Sequence, residues 1–167
     1  IKEVLNNMKF DVIIGNPPYQ EKDGGAQASA RPIYQNFVRV SKALNPELIT
    51  FIMPTRWYTG GKGLDSFRDE MLNDIHIREL NDWLTPTDIF PKTNIRGGIC
   101  YFLWDKSFDN TKNLTRVITH ENNEVVSDLK RPLKIKGENI LIRDNIAVSI
   151  IDKVFNKQNS QSLTIYM

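Results

Sequence analysis

Residues Phe10 to Tyr19 read Phe-Asp-Val-Ile-Ile-Gly-Asn-Pro-Pro-Tyr, and the two consecutive prolines constrain the fold more than any other feature of the chain. Val12, Ile13 and Ile14 are apolar and β-branched without alternation, which predicts a strand covered on both faces in a parallel sheet. Gly15 ends it. Pro17 and Pro18 remove two successive backbone N–H donors, so the carbonyl oxygens of Asn16 and Pro17 have few local partners. Each proline also drives the residue before it out of the helical region, which makes the loop stiff and extended with its acceptors fixed in direction. A planar group bearing an exocyclic amine fits such a tip. The Asn16 side-chain oxygen and the Pro17 carbonyl can accept its two hydrogens while Tyr19 stacks on the ring. A rigid turn without chemistry is the alternative.

The rest of the chain alternates between helical and strand patterns. Ile1 to Asn7 reads as the end of a preceding helix, and Gln20 to Ala30, with Gly24-Gly25, reads as a mobile connection or a gate over a substrate. Ile33, Phe37, Val40 and Leu44 recur at helical spacing, predicting a buried face on a helix stopped by Pro46. Leu48 to Met53, closed by Pro54, predicts a second central strand joined by a right-handed crossover. Leu64, Phe67, Met71, Leu72 and Ile75 predict a second crossover helix, and His76–Leu80 and Gly98–Trp104 two further strands. The loop Thr55 to Gly63 should lie beside the Tyr19 loop, because in such sheets the strands' carboxyl ends line the ligand crevice. Arg56 and Lys62 there are candidates for phosphate contact, and Trp57 and Tyr58 either pack on a ligand or belong to the core. The glycine spacing is wrong for a phosphate-binding P-loop.

Two segments extend this reading. The connection Asn81 to Gly97 is long for a compact domain, which marks it as functional or irregular. Beyond Asp105 the chain becomes more basic: Lys130, Arg131, Lys134, Lys136 and Arg143 stand against the single acid Glu138 between Leu129 and Arg143. Ile140–Ile142 predicts a short strand. Asp144 or Asn145 then caps a helix with Ile146, Ile150, Ile151 and Val154 on one face, and Gln158–Gln161 reads as a linker. His76 and His120 have no partner pattern for metal or nucleophile chemistry.

An apolar strand ending in Asn16-Pro17-Pro18-Tyr19 resembles motif IV of the S-adenosylmethionine-dependent amino-methyltransferases, chiefly the DNA adenine-N6 enzymes of restriction-modification systems. The resemblance extends to Phe90-Pro91 followed by an apolar strand, which is similar to motif VIII, where an aromatic ring stacks on the other face of the target base. It implies that Asn16, Pro17, Pro18 and Tyr19 form the catalytic tip, with Tyr19 and Phe90 as base-stacking residues. It also implies that Asn16 and Pro18 touch the cofactor, S-adenosylmethionine, and that Arg56, Lys62, Lys92, Arg96, Lys130 and Arg131 are candidate contacts to duplex DNA. The family's glycine-rich first strand-loop is absent from this sequence. The implied fold is therefore α/β: a partial Rossmann-like class I methyltransferase sheet, mostly parallel with a reversed terminal hairpin, and without the N-terminal cofactor-binding half.

On that resemblance residues 1–106 correspond to the second half of the catalytic domain, and 107–167 to a basic β/α extension leading to the target-recognition region. The chain starts at Ile1 and ends in the apolar run Leu163–Met167, so it is expected to be a piece of a longer protein, inactive by itself. RNA guanine and protein glutamine amino-methyltransferases share the motif and remain alternatives, as does a non-catalytic α/β interaction module. Composition narrows the class: 40% hydrophobic and 25% charged residues argue against a disordered or membrane-spanning chain. Cys100, the sole cysteine, excludes an internal disulfide framework and a cysteine-based zinc site, and no metal site is expected. No signal peptide is visible, so a reducing cytoplasm is the expected location.

Overall fold

The computed structural model of the chain describes residues 9–21, 30–92 and 95–157. The expected helix end at Ile1–Asn7, most of the Gln20–Ala30 connection, the Gln158–Gln161 linker and the run Leu163–Met167 lie outside the described residues. Six strands form one sheet: β1 (Val12–Gly15), β2 (Leu48–Pro54), β3 (Ile77–Trp83), β4 (Ile99–Asp105), β5 (Thr115–Glu121) and β6 (Glu124–Arg131), in the spatial order β1-β2-β4-β3-β5-β6. Helices α1 (Tyr34–Ala43) and α2 (Asp65–Leu72) are the two crossovers, and α3 (Asn145–Lys157) follows the sheet.

β1 pairs parallel with β2, and β3 parallel with β5, while β4 runs antiparallel to both β2 and β3 and β6 antiparallel to β5. The expected mostly parallel sheet is thus corrected to a mixed one. The physical reason is that β4 enters between β2 and β3 through the loop that follows β3, which returns the chain in the opposite sense. Four strands, β1, β2, β3 and β5, still share one direction. The sheet also runs unbroken across residue 106, since β5 adds directly to β3. β5 and β6 are joined by Asn122 and Asn123, both at positive φ (53° and 62°), as a two-residue turn between twisted strands requires.

The core lies on one face of this sheet. Ile49, Phe51 and Met53 of β2 alternate inward and meet Trp104, Phe102 and Cys100 of β4, with Leu80 of β3 beside Phe102. Tyr34 and Val38 of α1 and Phe67 and Met71 of α2 join the same cluster, so both crossover helices cover the same face, as two crossovers of one hand stepping in one direction must. Their outer sides are tied by Arg39, which donates to Glu70 at 2.9 and 2.7 Å and to Ser66 at 3.1 Å.

Several expected burials are reversed. Val12 and Ile14 are 48% and 76% exposed, because β1 is the edge of the described sheet and these two residues point away from the helices. The buried face of α1 carries Tyr34, Val38 and Ser41, whereas Phe37 and Val40 are exposed; the Tyr34 ring, edge-on to Phe67 at 6.1 Å, sets the rotation of the helix. Ile146, Ile150 and Val154 of α3 are likewise outward and Val148 is the buried residue. Ile140–Ile142 is not a strand. Its segment crosses the core face as irregular chain, with Leu133, Ile135 and Leu141 buried and the Leu141 N–H donating to the Tyr58 carbonyl.

Gly15 closes β1 for a steric reason. It stands opposite Phe51, and a Cβ built on it would lie 2.6 Å from the Phe51 ring. Gly15→Ala is expected to destabilise the fold by ~1–3 kcal/mol, the usual cost of forcing a methyl into a packed contact. Urea unfolding measures it, and adding Phe51→Leu should recover part of the loss.

Candidate active site at the carboxyl ends of the parallel strands

Because β1, β2, β3 and β5 share a direction, the loops after Gly15, Pro54 and Trp83 emerge on one end of the sheet. Residues 16–19, 55–63, 84–92 and 95–98 therefore emerge there, where open α/β sheets bind ligands. In the first loop Pro17 is buried while Asn16 and Pro18 are exposed. Pro17 anchors the tip on the protein and leaves the Asn16 side chain outside, where it makes no hydrogen bond with any described residue. The Pro17 carbonyl likewise accepts from no described backbone donor. Tyr19 is half-buried, its ring packed against the core and its carbonyl accepting from the Ile33 N–H at 3.2 Å, which ties the motif to the start of α1.

A cleft of about 360 Å³ opens beside this loop, lined by Tyr19, Tyr34, Pro54, Arg56, Ile95 and Arg96 among others. That volume falls in the ~300–1,000 Å³ range of small-ligand sites. A more open groove of about 560 Å³ adjoins it, lined by Thr55, Arg56, Lys62, Arg96, Gly97 and Arg143. Arg56 and Arg96 line both, and neither is paired with a described residue. The structure thus brings together Tyr19, Arg56, Lys62 and Arg96 from the expected set.

Other members of that set lie elsewhere. Phe90 is half-buried after the short 3-10 turn Pro86–Asp88, with its N–H on the Pro86 carbonyl at 2.9 Å, and neither it nor exposed Lys92 lines the cleft or the groove. Lys130 is exposed opposite Arg116, near the amino end of β5, so it sits at the other end of the sheet from Asn16. Arg131 is 5% exposed and fully used inside the protein. Its guanidinium donates to Asn145 Oδ1 and the Ile142 carbonyl, each at 2.6 Å, and to the Pro132 carbonyl at 3.1 Å. Arg131 is therefore corrected from a DNA-contact candidate to a structural residue: a guanidinium already hydrogen-bonded in the interior has no face left for a phosphate.

Trp57 and Tyr58 also belong to the core. They are 0% and 2% exposed and pack edge to face at 4.6 Å, around the buried thiol of Cys100, which burial pushes up to about 12. Among the described residues the Tyr19 hydroxyl is buried without a hydrogen-bond partner. Burial raises the Tyr19 hydroxyl to about 12, so the ring stays neutral through the working pH range and presents an undisturbed π face. His76 Nδ1 lies 2.7 Å from the Phe108 carbonyl, and His120 stacks on Trp83 at 4.1 Å with its Nε2 2.8 Å from Asn81 Oδ1.

Two functional-end residues were invisible in the sequence pattern. Asp82, buried at the end of β3, receives a bidentate pair from Arg143, at 2.8 Å from Nε and 2.7 Å from Nη2. The pair spans 61 residues, and no periodicity links the two positions. Gly97-Gly98 was the available signal. Gly98 has φ +112°, and a Cβ there would lie 2.5 Å from Arg143 Nη2 and 2.6 Å from the Trp83 carbonyl.

Comparison with known proteins bears on this geometry. The Eco57I restriction-modification methylase family matches over residues 1–90. A relative from Mycoplasma pneumoniae (strain ATCC 29342 / M129 / Subtype 1), described as an uncharacterized adenine-specific methylase, is 34% identical over 160 residues, covering 88% of this chain and 37% of its own. The chain belongs to the Eco57I restriction-modification methylase family. It spans little more than a third of that relative's length. Solved structures that match the chain include the methyltransferase subunit of a type I restriction-modification system from Streptococcus thermophilus, at 14% identity and TM-score 0.46, covering 90% of this chain and 32% of that one. The DrdV–DNA complex is another, at 17% identity and TM-score 0.48, covering 78% of this chain and 16% of that one.

Because the Tyr19 hydroxyl has no partner among the described residues, Tyr19→Phe is expected to leave stability within ~1 kcal/mol of wild type or raise it. Arg131→Gln should cost ~1–3 kcal/mol by leaving the carbonyls it serves unsatisfied. Urea midpoints of the two variants against wild type check both.

Proposed function

We propose that the protein to which this chain contributes transfers a methyl group from S-adenosylmethionine to the N6 amine of an adenine flipped out of duplex DNA, as part of a restriction-modification system. The observation that supports it most is the exposed Asn16 side chain and the Pro17 carbonyl at the end of β1, neither hydrogen-bonded to a described residue, beside a cleft lined by Tyr19 and by two arginines that pair with no described residue. The name of the M. pneumoniae relative agrees with adenine as the target.

The chemistry follows from what an adenine amine lacks. Its lone pair is delocalised into the ring, so it is a weak nucleophile. Asn16 Oδ1 and the Pro17 carbonyl accept hydrogen bonds from its two N–H groups, draw the nitrogen toward tetrahedral geometry and localise the lone pair. That stabilises the transition state more than the ground state. Tyr19 stacks on the base, offsetting part of the unstacking cost at ~1–3 kcal/mol per aromatic contact, and Phe90 is assigned the facing wall. Arg56, Arg96 and Lys62 hold the phosphates on either side, and Lys92 is assigned an outer contact. S-adenosylmethionine, when bound, supplies an electrophilic methyl on sulfonium.

The described residues fit one wall of that cofactor's site. Asn16 and Pro18 are exposed at the β1 edge of the described sheet, and Val12 and Ile14 are exposed beside them on the face opposite the helices. We assign the remaining walls to the N-terminal half of the same domain, which on this reading continues the sheet past β1 and covers that face. Residues 1–106 then supply the catalytic end and 107–167 the passage to target recognition.

Asn16→Ala in the full-length protein should lower methyl incorporation into duplex DNA ~10²–10³-fold or more, with DNA affinity unchanged, as expected when a preorganised polar group is lost. Parallel assays on RNA and on glutamine-bearing peptide decide between substrate classes; incorporation into either in preference to DNA overturns the reading. Arg56→Gln and Arg96→Gln should each reduce the slope of log affinity against log salt by about 0.9, and Arg131→Gln should not.

A further inference from the structure

The Arg143 guanidinium ties the end of β3 to the loop between β3 and β4. It forks onto the Asp82 carboxylate, which is 3% exposed, while Nη1 donates to the Gly97 carbonyl at 2.5 Å and Nη2 approaches the Trp83 carbonyl at 3.4 Å. Its face lies over the Tyr58 ring at 5.6 Å. The Gly97 carbonyl takes a second donor, Thr55 Oγ1, at 2.6 Å, and the Thr55 N–H donates to the Gly98 carbonyl at 3.1 Å. Gly97 follows Arg96 directly, and Arg96 with Ile95 forms the cleft wall that faces Tyr19. The wall's position is therefore set at Gly97.

Arg143 is itself held before it reaches the loop. Arg131 grips the Ile142 carbonyl and Asn145 on either side of it, and Asp144 caps the first turn of α3 through the Ile146 N–H at 2.7 Å. The two arginines act in series. One fixes the backbone around residue 143, and the other carries that position across to the loop between β3 and β4.

We propose that Arg143 is a positioning residue for the base cleft: anchored on Asp82, it holds the Gly97 carbonyl and so sets the distance between the Ile95–Arg96 wall and Tyr19. The proposal rests on the reading of that cleft as the target-base site. It assigns to the segment before α3 a direct hand in closing the site, through a contact far in sequence from the Asn16 motif. Arginine is needed because a fork serves the carboxylate and the carbonyl together, which a lysine ammonium cannot reproduce.

The test uses Arg143→Lys in the full-length protein, which keeps the charge and removes the fork. Hydrogen exchange without substrate should accelerate at the amides of residues 95–98 while the β3 and β4 core amides stay unchanged. With duplex DNA, kcat should fall ~10–100-fold, the scale of a small misplacement at a reacting centre, with DNA affinity and salt slope unchanged. Unchanged exchange at 95–98 overturns the proposal, since Thr55 alone then holds the loop. Faster exchange throughout the sheet overturns it in favour of a purely structural role, and lost DNA affinity with normal kcat overturns it in favour of a phosphate contact. The exchange arm separates this proposal from the functional one: local loosening in a protein whose wild type methylates no DNA leaves the latch standing and removes the methyltransferase reading. Should Arg143→Lys fail to fold, Thr55→Val, which removes the other side-chain donor to Gly97, is read by the same two measurements and must loosen the same four amides.

Discussion

The close approach of Phe51 to Gly15 is the contact on which the functional end depends. A side chain on the last residue of β1 would collide with the Phe51 ring, and with only hydrogen at that position β1 and β2 meet in tight parallel register. Phe51 in turn stands edge-on to Phe102 at 6.4 Å, so the same ring joins β1, β2 and the reversed strand β4. The loop that begins at Asn16 starts from a position fixed by this stack. Its prolines convert that fixed origin into a fixed direction, because neither the backbone nor a missing N–H allows the tip to fold back on itself.

The sheet is built asymmetrically, and the asymmetry is informative. One face holds the main core cluster and both crossover helices; the other buries Ile99 and Ile118 near the middle of the sheet but leaves Val12 and Ile14 exposed at its β1 edge. Apolar β-branched residues in that position are costly to leave in water. The continuous apolar pattern of β1 is what a strand buried on two sides needs, and the described residues bury it on one. The proposed N-terminal half accounts for the difference by the simplest physical route, covering the open face and pairing the open edge.

Charge is distributed with similar economy. The arginines fall into two kinds that composition does not distinguish. Arg131 is drawn inside and Arg143 half-buried, and hydrogen bonds to carbonyls, Asn145 and Asp82 occupy both guanidinium groups. Arg56 and Arg96, at the mouth of the cleft, pair with no described residue. Only the second kind is available to an anion. Counting basic residues between Leu129 and Arg143 therefore overstates the cationic surface there, because the two arginines that bound the run are spent on holding the chain.

By itself the sequence determined the strand-to-loop transition at Gly15, the acceptor tip at Asn16 and Pro17, the order of crossover units, and the core identity of Leu64, Phe67, Met71 and Cys100. All of these depend on neighbours within a few residues: β-branching, missing N–H groups, and apolar spacing. Tertiary structure alone decided the rest. Whether Tyr34 or Phe37 faces inward on α1, whether α3 turns Ile146 or Val148 to the core, and whether Arg131 meets solvent or Asn145 depend on what lies opposite, which local periodicity does not encode. The Asp82–Arg143 fork is the clearest case, since a bond across 61 residues exists only after the sheet has brought the end of β3 and the approach to α3 to the same place.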